Sequence, residues 1–124
     1  MGEILRIAVQ KKGRLSEDSL NLIKQCGINF SKGGATLKSN AYNFPIEFLY
    51  LRDDDIPGYV EDGVADIGII GENVLVEYQK DVELKLRLGF SKCRLSIGVP
   101  KGASYNGIKD LDGKDIATSY PNLL

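Results

Sequence analysis

The chain has 124 residues, 17 acidic and 16 basic side chains, and a formal net charge of −1. Because a nearly neutral chain creates no broad electrostatic field, we expect neither nucleic-acid binding nor attraction to an anionic membrane surface. Histidine is absent and the two cysteines lack CxxC spacing, which excludes a histidine-based catalytic triad and a zinc site.

The first half of the chain alternates between strand-like and helix-like segments. A β-branched apolar stretch at residues 4–9 predicts a strand, and a polar, glycine-containing turn follows at 10–14. Ser16 is the expected N-cap of the next helix, and Gly27 is expected to end it. A surface loop or hairpin is predicted at 31–40, before a second strand at 46–51.

The alternation continues through the middle of the chain. An aspartate cap followed by Pro57 predicts a helix that extends to Val60 and stops at Gly63. Residues 65–71 are expected to form a strand and 72–78 a short helix. Two extended runs are predicted at 84–90 and 94–99. A further strand is predicted at 115–120, with Pro121 opening a helix.

Such an order of elements predicts an α/β fold with a largely parallel sheet. Ligands of parallel sheets gather at the carboxyl ends of the strands, so the loops at 11–14, 52–55, 71–73 and 119–120 are candidate binding positions.

No apolar run approaches the roughly 20 residues of a membrane span, and the N-terminus lacks the layout of a secretory signal, which favours a cytoplasmic protein. Because a single helical turn is unstable alone, the end of the sequence suggests a fragment.

Three of these loops carry residues suited to a ligand. Lys11, Gly13 and Arg14 precede a predicted helix, where free N–H groups and cations can bind an anion, although a solvated basic turn has the same composition. The 52–55 loop contains an arginine and three aspartates, which could accept hydrogen bonds from hydroxyl or amino groups or bind Mg²⁺. Two of those aspartates could equally serve as a helix cap and a dipole partner.

The third loop contains Gly71, Glu72 and Asn73, which follow a predicted strand. Small residues at a strand end permit a ligand to approach the backbone closely. A tight turn after a buried strand would have the same sequence.

Five segments in register resemble the ATP phosphoribosyltransferase family, and most closely its long form: RIAVQKKGRLS at 6–16, LRDDDIPG at 51–58, GVADIGIIGENVL at 63–75, CRLS at 93–96 and GKDIATSYPNLL at 113–124. The resemblance implies a two-lobed fold like that of periplasmic binding proteins, with mainly parallel sheets and a cleft between the lobes. Residues 1–92 would form the first lobe and 93–124 the start of an incomplete second lobe. The chain would be truncated there, without the regulatory C-terminal domain.

The resemblance also implies an activity, the first step of L-histidine biosynthesis. The family transfers a phosphoribosyl group from 5-phosphoribosyl 1-pyrophosphate to N1 of the ATP adenine, releasing pyrophosphate with the assistance of Mg²⁺. A homo-oligomer is expected for the full-length protein, in the cytoplasm. The resemblance assigns no catalytic residue, but it implies a set of ATP- or pyrophosphate-binding residues: Lys11, Gly13, Arg14, Arg52, Asp53, Asp54, Gly71, Glu72, Asn73, Ser119 and Tyr120.

Two other functions are compatible with the same residues. A small-anion or nucleotide-binding module of this fold would bind without catalysis, and a non-catalytic subunit would act only with a partner. The family's acidic, threonine-rich loop for the phosphoribosyl donor is not among these 124 residues. We therefore expect the isolated chain to be inactive.

Overall fold

The computed structural model describes residues 3–31 and 37–123. Strands and helices alternate in the first two thirds of the chain, and no described helix is long and apolar enough to cross a membrane. The elements are β1 (Leu5–Gln10), α1 (Arg14–Gln25), β2 (Lys38–Asn40), β3 (Ile46–Leu51), a 3-10 turn (Asp53–Asp55), α2 (Ile56–Glu61), β4 (Ile67–Gly68), α3 (Glu72–Tyr78) and a second 3-10 turn (Ile108–Leu111).

The strands form one sheet in the order β2-β3-β1-β4. β1 pairs in parallel with both β3 and β4, and β2 pairs antiparallel with β3. A mixed α/β sheet with mostly parallel strands therefore confirms the predicted sheet type, whereas the two-lobed arrangement remains a prediction. Part of the 31–40 loop or hairpin falls at 32–36, outside the described residues, and β2 occupies its end.

The period-two alternation of β1 and β3 divides the core between the two faces of the sheet. Ile7 and Val9 of β1 lie on one face with Ile23 of α1, and Phe48 and Tyr50 of β3 complete this buried cluster with Phe30. The other face carries Ala8, packed with Ile56 of α2 and Ala65, together with partly buried Leu49, Leu51, Val60 and Ile70. Helices thus cover both faces of the parallel strands.

The first helix starts earlier than its sequence predicts. Helix α1 begins at Arg14 with Gly13 as N-cap, so the expectation that Ser16 caps it is wrong. Ser16 instead lies inside the first turn of α1, where it is buried. The predicted end at Gly27 is confirmed: its φ is +86°, and Ile28 N–H donates to the Ile23 carbonyl in a Schellman-type ending.

The elements that follow β3 keep their predicted order with altered bounds. Asp53–Asp55 forms a 3-10 turn before α2, whose N-cap Asp55 makes no side-chain capping hydrogen bond, which corrects the predicted cap. β4 is limited to Ile67–Gly68 rather than 65–71, because it is an edge strand whose only partner is β1. Helix α3 spans Glu72–Tyr78, which confirms the predicted helix.

The last third of the described chain contains no strand, so the strands predicted at 84–90, 94–99 and 115–120 are wrong for this structure. Alternating apolar residues specify a strand only when a neighbouring strand accepts its hydrogen bonds and a core covers its apolar face. Neither is available here, since every buried residue of the described ranges lies between Ile7 and Glu77. Residues 121–123 form a turn instead of a helix, and Leu124 lies outside the described residues.

Candidate functional site

The parallel pairing brings three loops to one edge of the sheet. β1, β3 and β4 all run in the same direction, so the loops at 11–13, 52–55 and 69–71 leave the sheet at its carboxyl-terminal edge. Ten of the residues expected from the sequence, all except Ser119, lie in these loops, in the first turn of the helix that follows, or in contact with that turn. Open parallel sheets bind ligands at this edge.

A cleft of about 340 Å³ opens where β1 and β3 end. The main-chain N–H of Lys11 donates to the Leu51 carbonyl over 2.8 Å, which continues the strand pairing to the rim and holds the two loops side by side. The lining consists of the last residue of each strand and the first two residues of each loop that follows: Gln10, Lys11, Lys12, Leu51, Arg52 and Asp53. The sequence analysis predicted Lys11, Arg52 and Asp53 as binding residues, and the structure adds Gln10, Lys12 and Leu51.

Gly13 and Arg14 form the junction between β1 and α1. Gly13 has φ of +96°, a conformation that L side chains seldom adopt, so glycine permits the sharp entry into the helix. Arg14 is the first residue of α1, and its exposed side chain forms no ion pair within residues 3–31 and 37–123. A free guanidinium at a helix start is suited to a phosphate, which it can bind with two hydrogen bonds.

The three aspartates after β3 occupy different environments. Asp53 lines the cleft, and its Oδ1 accepts the Asp54 main-chain N–H over 2.9 Å. Asp54 lies 3.7 Å from the Arg52 guanidinium, whereas Asp55 is the exposed N-cap of α2. Partial desolvation raises the pKa of Asp53, and the negative charge of Asp54 raises it further. Asp53 is therefore the aspartate of this string that faces the cleft.

Tyr78 is a neighbour of this string that the sequence analysis missed. It lies at the end of α3, which contacts the 3-10 turn at Asp53–Asp55. Desolvation raises the pKa of the Tyr78 phenol, and the charge of Asp54 and its hydrogen bond with the phenol raise it further. No local pattern marks Tyr78, because its position beside Asp54 depends on how α3 packs.

Glu72 opens α3 and is directed toward a partner outside the three loops. Its carboxylate accepts hydrogen bonds from Nη2 and Nε of Arg87 at 2.8 and 3.2 Å. This bidentate contact and the positive charge of Arg87 lower the pKa of Glu72. Glu72 at the start of α3 is therefore an ionised carboxylate paired with Arg87.

Asn73 connects the sheet edge to the distant Tyr120. Its Nδ2 donates to the Tyr120 hydroxyl over 3.1 Å, which joins two residues that the sequence analysis had singled out separately. Its Oδ1 occupies the space that a side chain on Gly71 would need, so glycine there leaves room for the amide. Ser119 is exposed beside Tyr120, and none of the described hydrogen bonds brings it to the loops.

The edge as a whole combines cations, carboxylates and amide groups, a set that can bind phosphates with lysine and arginine and hydroxyl or amino groups with aspartate. A metal site made of protein ligands alone is not found at this edge of the described chain. In the described part of the chain, no three acidic, cysteine or histidine side chains converge as a metal site. A divalent ion would need most of its ligands from a bound phosphate compound and water.

The sequence of this chain is similar to proteins of one family along its entire length. A family model described as HisG: ATP phosphoribosyltransferase matches residues 52–124. A relative named ATP phosphoribosyltransferase from Cytophaga hutchinsonii is 67% identical over 124 residues, which are 100% of this chain and 43% of the relative. Another of that name, from Bacteroides fragilis, is 54% identical over 121 residues, 98% of this chain and 43% of the relative.

A solved structure adds a likeness in three dimensions. The ATP phosphoribosyl transferase (HisG:HisZ) complex from Thermotoga maritima superposes with a TM-score of 0.57 at 30% sequence identity, covering 67% of this chain and 39% of that one. The chain thus spans less than half the length of the relatives it matches. Since the family model matches more than half of its residues, the chain belongs to the ATP phosphoribosyltransferase family.

Proposed function

We propose that this chain supplies the nucleotide-binding part of an ATP phosphoribosyltransferase, the enzyme of the first step of L-histidine biosynthesis. The reaction transfers a phosphoribosyl group from 5-phosphoribosyl 1-pyrophosphate to N1 of the ATP adenine and releases pyrophosphate. The observation that carries the proposal is the family match over residues 52–124, which begins at the Arg52 loop of the cleft. Catalysis of this kind depends on positioning and charge neutralisation, for which no histidine is needed.

Each loop has a proposed role in that binding. Lys11 and Arg14 neutralise phosphate oxygens, with the backbone at Gly13 permitting close approach. Arg52 provides a further cation at the cleft, while Asp53 accepts hydrogen bonds from a hydroxyl or from the adenine amino group. The remaining proposed contacts come from Asp54, Gly71, Glu72, Asn73, Ser119 and Tyr120.

The two-lobed arrangement is part of the same proposal, with residues 1–92 as the first lobe and 93–124 as the opening of the second. The contact between Asn73 and Tyr120 supports a cleft that receives residues from both segments. The likeness to a solved complex supports an oligomer as the working form of the full-length protein. We also propose the cytoplasm as its location.

Magnesium enters this proposal as a component of the substrates. Because Mg²⁺ retains waters and binds readily to phosphates, a magnesium complex of ATP or of the phosphoribosyl donor needs at most one or two protein carboxylates. Asp53 fits that part, since it lines the cleft and its neighbour Asp54 is the aspartate that pairs with Arg52. The role of the chain is to hold the phosphates at the cleft.

Titration of ATP into the chain by calorimetry tests the proposal. Arg14→Ala removes a charge-assisted contact worth about 1.5–3 kcal/mol, so we expect affinity to fall by about tenfold or more. Arg6→Ala is the matched control, because Arg6 pairs with Glu47 near the opposite end of β1 and β3. The Arg6→Ala variant should bind ATP as tightly as the wild type. Equal losses of ATP affinity in both variants would show that Arg14 is not part of the site.

Pyrophosphate release in the presence of both substrates tests the second part of the proposal. We expect none from the isolated chain, because the family's phosphoribosyl-donor loop is not among its residues. Turnover that requires both substrates would overturn that expectation. A chain that fails to bind ATP at all would contradict the proposed function.

A further inference from the structure

Glu77 is a carboxylate that the proposed nucleotide site does not use, yet it is only 3% exposed. It lies in the last turn of α3 and accepts the main-chain N–H of Asn122 at both oxygens, at 2.9 and 2.8 Å. The N–H of Leu123 donates to Oε1 over 3.3 Å, and the Asn122 amide donates to the Glu77 carbonyl over 2.9 Å. The buried charge is therefore satisfied by peptide dipoles from a segment 45 residues away.

A buried carboxylate is costly unless its oxygens are bonded. Within the described ranges Glu77 has no lysine or arginine as an ion-pair partner, so the Asn122 and Leu123 donors offset its desolvation. In the turn at 121–123, Pro121 and Asn122 are exposed and Leu123 is half-buried, so none of its residues belongs to the buried core. Four hydrogen bonds, three to the Glu77 carboxylate and one to its main-chain carbonyl, therefore connect this turn to α3.

Asn73 lies on the same face of α3 as Glu77. Asn73 precedes Glu77 by four residues, which places both side chains on one side of the helix. Asn73 bonds to the Tyr120 hydroxyl and Glu77 bonds to Asn122 and Leu123, with Pro121 between them. Because proline fixes φ, holding residues 122 and 123 also restricts where the Tyr120 ring can lie.

We propose that Glu77 is a positioning residue that fixes the turn at 121–123 and thereby holds the Tyr120 hydroxyl at Asn73, at the edge where the nucleotide binds. Its effect on ligand affinity rests on the proposed function, whereas the contact itself does not. Tyr120 has no other long-range hydrogen bond in the described part of the chain, since its own N–H bonds locally to Thr118. Asn73 contacts Tyr120 directly, and Glu77 holds the segment that follows Tyr120 through Asn122 and Leu123.

Glu77→Gln tests the proposal with little change of shape. A neutral amide offers one acceptor oxygen and turns its NH₂ group toward the Asn122 and Leu123 donors. We expect hydrogen exchange at these two amides to accelerate by about tenfold or more, while the amides of β1 and β3 exchange at wild-type rates. Glu61→Gln is the matched control, because Glu61 also accepts a main-chain N–H, from Asp81 at 2.6 Å, but lies exposed.

Calorimetry with ATP separates positioning from a general structural role. Tyr120→Phe removes the hydroxyl and keeps the Glu77 contact, so ATP affinity should fall about threefold while exchange at Asn122 and Leu123 stays unchanged. Glu77→Gln should cause a similar loss, and the double variant should lose no more than either single one, because both act through one hydroxyl. Additive losses, or unchanged exchange in Glu77→Gln, would overturn the proposal.

A third variant keeps the test decisive if Glu77→Gln does not fold. Asn122→Ala deletes the amide that bonds to the Glu77 carbonyl without touching the buried carboxylate. We expect faster exchange at Leu123 and a smaller fall in ATP affinity, and wild-type behaviour in both would contradict the proposal. If the wild-type chain does not bind ATP, the proposed function fails, and the exchange rates still decide whether Glu77 holds the turn.

Discussion

At the residue scale, the string Arg52-Asp53-Asp54-Asp55 separates what sequence reasoning can predict from what it cannot. Its place after a strand follows from the apolar run before it, so the cluster could be assigned to the candidate site. The different environments of its aspartates could not be assigned, because they depend on which side chains face Arg52, Tyr78 or the cleft. Tyr78 and the β1 side of the cleft come from elements distant in sequence, so the residues around the string do not reveal them.

Glu72 provides a test at this scale. Because Arg87 lowers the pKa of Glu72, the ion pair stabilises the fold above the unfolded pKa of about 4.5, and that stabilisation is lost as the pH falls through the lower folded value. We expect Arg87→Ala to raise the pKa of Glu72 toward its ordinary value, as measured by NMR titration of the carboxyl carbon. Lys85→Ala, which removes the partner of Glu83, is the control and should leave the pKa of Glu72 where it is.

At the element scale, apolar periodicity predicts a strand correctly where a partner strand and a core receive it, and wrongly where they do not. β1 and β3 pair with each other over a shared core and α3 forms as predicted, so the structure confirms all three. The alternating leucines at 84, 86 and 88 have the same strand pattern, yet they are exposed and unpaired in the described chain. An extended segment without a neighbouring strand has no partner for its main-chain hydrogen bonds. An alternating apolar pattern is therefore not sufficient to form a strand.

Gly68 in β4 tests the packing between elements. A Cβ at Gly68 would lie 2.5 Å from Ile56 Cγ2 and 3.1 Å from Val60 Cγ2, so α2 can lie close to β4 only because this residue is glycine. We expect Gly68→Ala to lower the free energy of unfolding by about 1–3 kcal/mol, measured by urea denaturation.

Gly58→Ala is the matched control in the facing helix. A Cβ at Gly58, within α2, meets nothing within 4 Å. Alanine should therefore raise the free energy of unfolding by about 0.5–1 kcal/mol through its better helix propensity. Equal effects of the two substitutions would contradict the close packing of β4 on α2.

At the scale of the whole molecule, the described chain has two parts: residues up to Glu77, which contain the buried core, and the later residues, which contain no buried residue. The chain exposes 9194 Å² of surface, whereas a compact monomer of 13.6 kDa would expose about 6,600 Å². No described residue beyond Glu77 is buried, and Ile108 is 74% exposed. Stability therefore resides in the sheet and its helices, which is also where the cleft forms.

Limited proteolysis checks this division. Trypsin should cut at Lys101 and Lys109 before it cuts at Lys24, although all three side chains are exposed. Lys24 lies within α1, which must unfold before a protease can bind its backbone, while the other two belong to a part of the chain without a core. Mass spectrometry of the early fragments decides the order, and initial cleavage at Lys24 would contradict it.

The measurement that tests the central proposal most directly is an NMR titration of the isotope-labelled chain with ATP. If the nucleotide binds at the carboxyl-terminal edge of the sheet, the amides at 11–14, 52–54 and 71–73 shift together with one affinity, and those at the opposite edge, near Ile46 and Asp66, stay in place. Shifts confined to the opposite edge, or three loops that respond with unrelated affinities, would contradict the proposed site.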